Sequence, residues 1–255
     1  MAARDAPIGV LIAETGGQNA MIVDSTALPE QVTDAVTSSA FRSCGQRCSA
    51  LRVLFLQNEV AEAMIEMIAG AMREMVIGDP GDPRTDIGPV IDADQLALLH
   101  QHRDWLRAKG RRILECELPV GLNGHYFAPI AYEIDAIGDL VNENFGPILH
   151  VVRYDKRNLE QVIESINATG YGLTMGLHTR LDTRVEQVMQ RAHAGNLYVN
   201  RNIIGAVVGS QPFGGEGLSG TGPKAGGPHY LQRFCAERTV TINTAAAGGN
   251  VELLA

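Results

Sequence analysis

The chain has 255 residues, 45% of them hydrophobic, and a formal charge of −8 at pH 7. That is enough apolar material for a sizeable core, in one large domain or two small ones, and it excludes an intrinsically disordered protein. The 21 Lys and Arg are scattered, which argues against a nucleic-acid surface, because neutralising phosphates takes a basic cluster.

In chain order, Gly9 to Ala13 and Ala20 to Val23 read as short buried strands around a Gly-Gly turn. Leu28-Pro29-Glu30 starts a helix to about Arg42, and the apolar run after Cys48, "SALRVLFLQ", reads as a strand. Glu59 to Met75 has apolar residues at helical spacing, with its Met stripe read as core packing. The Pro/Gly/Asp loop from Gly78 to Asp92 leads into a helix reaching about Lys109. Strands follow near Arg112 to Cys116, Tyr126 to Tyr132, Ile148 to Arg153, Thr174 to His178 and Asn196 to Val199, with helices at Leu159 to Ala168 and Asp182 to Ala192. This alternation predicts an α/β fold with a largely parallel sheet and flanking helices. A Gly-rich stretch from Gln211 then gives way to a helical turn and to the strand-like Arg238 to Asn243 and "AAAGGNVELLA".

The four cysteines, Cys44, Cys48, Cys116 and Cys235, are too few for a disulfide scaffold, and no signal-peptide pattern precedes them. A reducing, cytoplasmic setting is therefore expected. No run of about 18 apolar residues is present, so no transmembrane segment is expected. A working cysteine needs an electropositive, partly exposed setting or a nearby base. Cys48, beside Arg47 and between a helix and a strand, sits where α/β enzymes place site residues at the rim of a sheet. The alternative from these residues alone is a buried structural cysteine. A Cys44/Cys48 zinc pair is disfavoured because no second Cys/His pair at ligand spacing follows, and no metal site is expected.

Four stretches, "ETGGQNA" from Glu14, "GQRCSA" around Cys48, "ENFGPIL" from Glu143 and "QPFGGEGLSG" from Gln211, occur in the order and approximate spacing of the aldehyde dehydrogenase superfamily, which the chain resembles. More narrowly, "AETGGQNAMIVDSTALPEQV", "GQRCSALRVLFLQ", "GAVVGSQPFGG" and "LSGTGPKAGGPHYL" are similar to the L-glutamate-γ-semialdehyde (pyrroline-5-carboxylate) dehydrogenase module of bacterial bifunctional proline utilisation (PutA-like) proteins. The likeness implies NAD as cofactor and L-glutamate γ-semialdehyde as substrate. FAD would belong only to the proline dehydrogenase part of a full-length protein, not to this chain.

Residue by residue, the resemblance implies that Cys48 adds to the aldehyde as a thiohemiacetal and passes to a thioester, and that a partly desolvated Glu14 activates the hydrolytic water. It implies that Glu143 holds the nicotinamide ribose with Phe145 packing nearby, and that Thr15 and Gly16 approach the cofactor. The substrate carboxylate would meet Ser49 and the backbone of Gly205 and Ala206, with Phe213 walling the aliphatic chain. Arg47 would add charge to that carboxylate, lower the thiol pKa, or form a salt bridge elsewhere. Another semialdehyde, or a non-catalytic assembly module, is the competing reading.

The resemblance places a catalytic domain over residues 1–236, with an anchor loop at about 203–213, and an oligomerisation strand and tail over 237–255. It covers only the C-terminal half of the family's usual length. The expectation is therefore a fragment whose N-terminal Rossmann-like cofactor domain is missing, which binds NAD poorly by itself and forms homo-oligomers.

Overall fold

Ala20–Val23 (β1) and Val53–Gln57 (β2) expose none of their residues, as strands covered on both faces must. The structure, a computed structural model, describes residues 9–243. Further elements are α1 (Pro29–Phe41), α2 (Asn58–Arg73), α3 (Ala93–Lys109), β3 (Arg111–Glu115), β4 (Ile130–Glu133), β5 (Ile148–Tyr154), α4 (Leu159–Asn167), β6 (Tyr171–Gly172), β7 (Thr174–His178), α5 (Asp182–Arg191), β8 (Asn196–Val199) and β9 (Glu216–Gly217). Seven strands form one sheet in the order β3-β4-β5-β2-β1-β7-β8. All neighbours are parallel except β3 and β4. The expected α/β class with a largely parallel sheet is the observed one. β6 and β9 form a separate antiparallel pair.

Two sequence expectations are corrected. Gly9 to Ala13 joins no strand and is largely exposed. Ala13 instead exchanges bonds with Thr221, and Glu14 bridges Gly220. With no neighbouring strand to cover them, Val10 and Leu11 face outward. The strand expected over Tyr126 to Tyr132 begins only at Ile130, after Pro129, which has no N–H to give a ladder. Arg238 to Asn243, expected as a strand that adds to a neighbouring subunit, joins no strand within the chain and is exposed. The closing "AAAGGNVELLA" lies outside the described residues.

The topology decides where chemistry can gather. Glu14 to Asn19 lead into β1, Cys48 to Arg52 lead into β2, and Glu143 to Pro147 lead into β5. These strands are parallel neighbours, β5-β2-β1, so the three segments meet at one edge of the sheet, outside the strand N-termini. The segment after β8 returns to this same edge. Asn196, at the start of β8, donates its side-chain amide to the Pro212 carbonyl (3.0 Å) and accepts from the Gly214 N–H (3.2 Å).

Candidate active site

α1 ends at Phe41, and the chain then takes a left-handed corner in which Ser43, Cys44 and Gly45 have φ of 56°, 54° and 63°. The first two are disfavoured for residues with a Cβ. Gly45 is required, because a Cβ there would overlap the Gly146 carbonyl. The corner leaves Cys44 buried and Cys48 exposed. Burial pushes the Cys44 thiol up to about 12, which makes it inert near neutrality. The Cys48 thiol is also raised, first by desolvation and then by the Glu143 and Glu14 carboxylates; the N–H groups of Ser49 and of Cys48 itself oppose the rise. Arg47 turns its Nε to the Ser43 hydroxyl (2.9 Å) and forms no ion pair with a described residue. Donors aimed at the sulfur thus come from the backbone.

Two buried polar side chains fix this loop. Asn19 donates to the carbonyls of Cys48 (2.7 Å) and Ala50 (2.9 Å), while its Oδ1 accepts from the Thr174 N–H (3.1 Å). Arg52 donates to the carbonyls of Gly45 (2.7 Å) and Arg47 (3.1 Å). It also pairs with Glu143 Oε1 at 3.1 Å, in a contact whose side chains are only 1% and 8% exposed. The guanidinium carbon lies 5.0 Å from the centre of the Phe145 ring. Sequence reasoning missed both residues. The available signal was a polar side chain at the entry to each buried strand, Asn19 before β1 and Arg52 before β2.

Glu143 faces inward. Its carboxylate fills the space where a Cβ on Gly16 would be, and it accepts from the Gly17 N–H. Burial raises its pKa, and Arg52 and Gly17 offset only part of that. Glu14 is exposed, so the described residues do not supply the desolvation expected around it. Thr15 is tied to the Gly-rich run, its N–H to Ser219 (3.1 Å) and its hydroxyl to Leu218 (2.5 Å).

A cleft of about 610 Å³ opens beside the cysteine, lined by Arg47, Cys48, Ser49, Gly205, Ala206 and Phe213 among others. The Ser49 hydroxyl and the N–H groups of Gly205 and Ala206 have no partner among the described residues. Gly205 stands at φ 72°, a left-handed turn that glycine adopts without strain, and it lines the cleft. Phe213 is held by reciprocal bonds with Ala225 at 3.0 and 2.8 Å. Cys48 and the five proposed substrate contacts are therefore in one place, and Glu143, Phe145, Thr15 and Gly16 lie on the flank formed by the segments before β1 and β5.

Residues 1–240 match the aldehyde dehydrogenase family, and the chain belongs to that family. Among curated relatives it is 56% identical to bifunctional protein PutA of Escherichia coli K12 over 234 residues, 89% of this chain and 18% of that protein. It is 33% identical to 1-pyrroline-5-carboxylate dehydrogenase of Geobacillus kaustophilus over 233 residues, 91% of this chain and 45% of that protein. A crystal structure of a Bradyrhizobium japonicum proline utilization A variant superposes with a TM-score of 0.92 at 60% identity, covering 97% of this chain and 25% of that one. A Thermus 1-pyrroline-5-carboxylate dehydrogenase with bound NAD gives 0.81 at 35% identity, covering 88% and 43%. The chain thus spans less than half the length of each of these relatives.

Proposed function

We propose that this chain carries the nucleophile, base and substrate anchor of an NAD-dependent dehydrogenase that oxidises L-glutamate γ-semialdehyde to glutamate. The observation that carries the reading is the cleft in which Cys48 faces three donors without internal partners, the Ser49 hydroxyl and the Gly205 and Ala206 N–H groups. Such a set suits a substrate with a carboxylate at one end and an aldehyde at the other. Phe213 supplies an apolar wall between them. The names of the PutA and 1-pyrroline-5-carboxylate dehydrogenase relatives support the same substrate.

In this reading the Cys48 sulfur adds to the aldehyde carbon, and the oxygen that gains charge is stabilised by the Cys48 N–H. NAD, when bound, would supply the hydride acceptor for this carbon. Cys48 then holds the acyl group as a thioester, Glu14 takes a proton from water, and attack by that water releases the carboxylate and restores the thiol. Glu143, Phe145, Thr15 and Gly16 fit the nicotinamide end of the cofactor. The Glu143 carboxylate has lone pairs beyond those used by Arg52 and Gly17, and Gly16 leaves the carboxylate room that a side chain would take. The rest of the dinucleotide would be held by a preceding cofactor domain, and the exposed C-terminal segment suits a homo-oligomer. A cytoplasmic setting would keep Cys48 reduced.

The test is hydrolysis of an activated aryl ester, which needs no dinucleotide. The chain is expected to turn the ester over, Cys48→Ala to abolish this, and Glu14→Gln to give one fast acylation with little turnover. Equal rates in all three proteins would remove Cys48 from the mechanism.

A further inference from the structure

We propose that Arg52 is the positioning residue of the site, a buried guanidinium that locks the Cys48 loop to the Glu143–Phe145 segment and offsets part of the Glu143 charge beside the thiol. The proposal rests on the reading of Cys48 as nucleophile. Arg52 donates to Gly45 and Arg47 on one side, and to Glu143 Oε1 (3.1 Å) and the Gly146 carbonyl (3.4 Å) on the other, with Phe145 stacked over it. Its own backbone is fixed as well: its N–H donates to Asn19 (2.9 Å), and its carbonyl accepts from the N–H and Nδ1 of His150 at 3.0 and 2.8 Å. One residue therefore touches the segments that precede β1, β2 and β5. A planar fork reaches these acceptors from its two Nη groups, with Nε left without a partner among the described residues; the three donors of a lysine radiate from a single point.

The charge matters as much as the fork. The ionisable groups acting on Cys48 are Glu143 and Glu14, while Arg52 itself is influenced by the thiolate. Arg47 stands next in the chain but is turned to Ser43. The cleft's other walls, residues 205–213 and Ala225–Gly226, bring no charged side chain to its lining. Glu143 opposes formation of the thiolate even with Arg52 beside it; without Arg52 that opposition would grow, and the strained Ser43–Gly45 corner would lose the donor that holds the Gly45 carbonyl.

The experiment follows the rate of iodoacetamide labelling of each cysteine against pH in the full chain, read by mass spectrometry, with circular dichroism and urea unfolding as folding controls. Arg52→Met is expected to raise the apparent pKa of Cys48, to slow its labelling at pH 8 by about tenfold (roughly one pKa unit), and to expose Cys44 to label. Glu143→Gln should shift Cys48 the opposite way, with labelling at pH 8 a few-fold faster. The double variant should recover most of the Cys48 rate, and Arg52→Lys should recover charge without re-protecting Cys44. Should Arg52→Met fail to fold, Glu143→Gln alone decides: an unchanged or slower Cys48 contradicts the proposal. Selective wild-type labelling with no change in any folded variant overturns the role of Arg52 and leaves the nucleophile standing. Equal labelling of all four cysteines in the wild type overturns both.

Discussion

At the scale of single residues, the site depends on atoms that are absent as much as on those present. Gly16 lacks the Cβ that would overlap the Glu143 carboxylate, whereas Gly9 has nothing within 4 Å of the equivalent point. Gly16→Ala should therefore destabilise the chain by about 1–3 kcal/mol in urea unfolding, as overpacking does. Gly9→Ala should stay within about 0.5 kcal/mol, and equal effects would show that Glu143 gives way freely. Cys48, Ser49, Gly205, Ala206 and Phe213 were legible because each falls in a motif, and they do share one cleft. Arg52 and Asn19 were not, because their partners lie up to 94 and 155 residues away in sequence. Inside "SALRVLFLQ" an arginine reads only as an interruption of an apolar strand.

The elements explain why the site sits where it does. Open α/β sheets commonly bind ligands outside the C-terminal ends of their strands, the rule by which the sequence places Cys48 at a sheet rim. Here the segments before β1, β2 and β5 meet at the opposite edge, with β8's return loop closing the cleft. The junction was legible; its edge was not, since strand order depends on long-range pairing. α3 is secured to β5 by His102 and His150, whose Nε2 atoms are 2.8 Å apart. Because His150 Nδ1 meets a carbonyl, it carries the proton; His150 Nε2 then accepts from His102. Burial drives both below their usual range, to about 4 for His102 and about 3 for His150. The unfolded chain would therefore take up protons as pH falls through 6.5 while the native fold does not, and stability present above that pH is lost below it. Between pH 7 and pH 5 the loss should be at most about 2 kcal/mol for each histidine. Urea unfolding of His150→Gln should show a smaller difference between the two pH values than the wild type; an equal difference would exclude the pair as its source.

For the whole molecule, the parallel sheet, its helices and the family were legible from alternation and motifs, but the exposed course of Gly9 to Ala13 was not. Gly9 to Ala13 and Arg238 to Asn243 both have strand-like sequences, and both lack a neighbouring strand among the described residues. Val240 and Ile242 are 70% and 75% exposed, a condition that favours association. Sedimentation velocity should reveal concentration-dependent self-association that the double variant Val240→Asp, Ile242→Asp reduces. Association unchanged by that variant would place the contact elsewhere.

The most direct measurement is thiol labelling of the chain from pH 5 to 9, with the modified cysteine identified by mass spectrometry, in the presence and absence of glutamate. The account predicts that Cys48 labels first, that Cys44 stays unmodified, and that glutamate slows Cys48 by occupying Ser49, Gly205 and Ala206. Uniform labelling of all four cysteines, or labelling of Cys48 that glutamate leaves untouched, would contradict a preformed nucleophile and anchor.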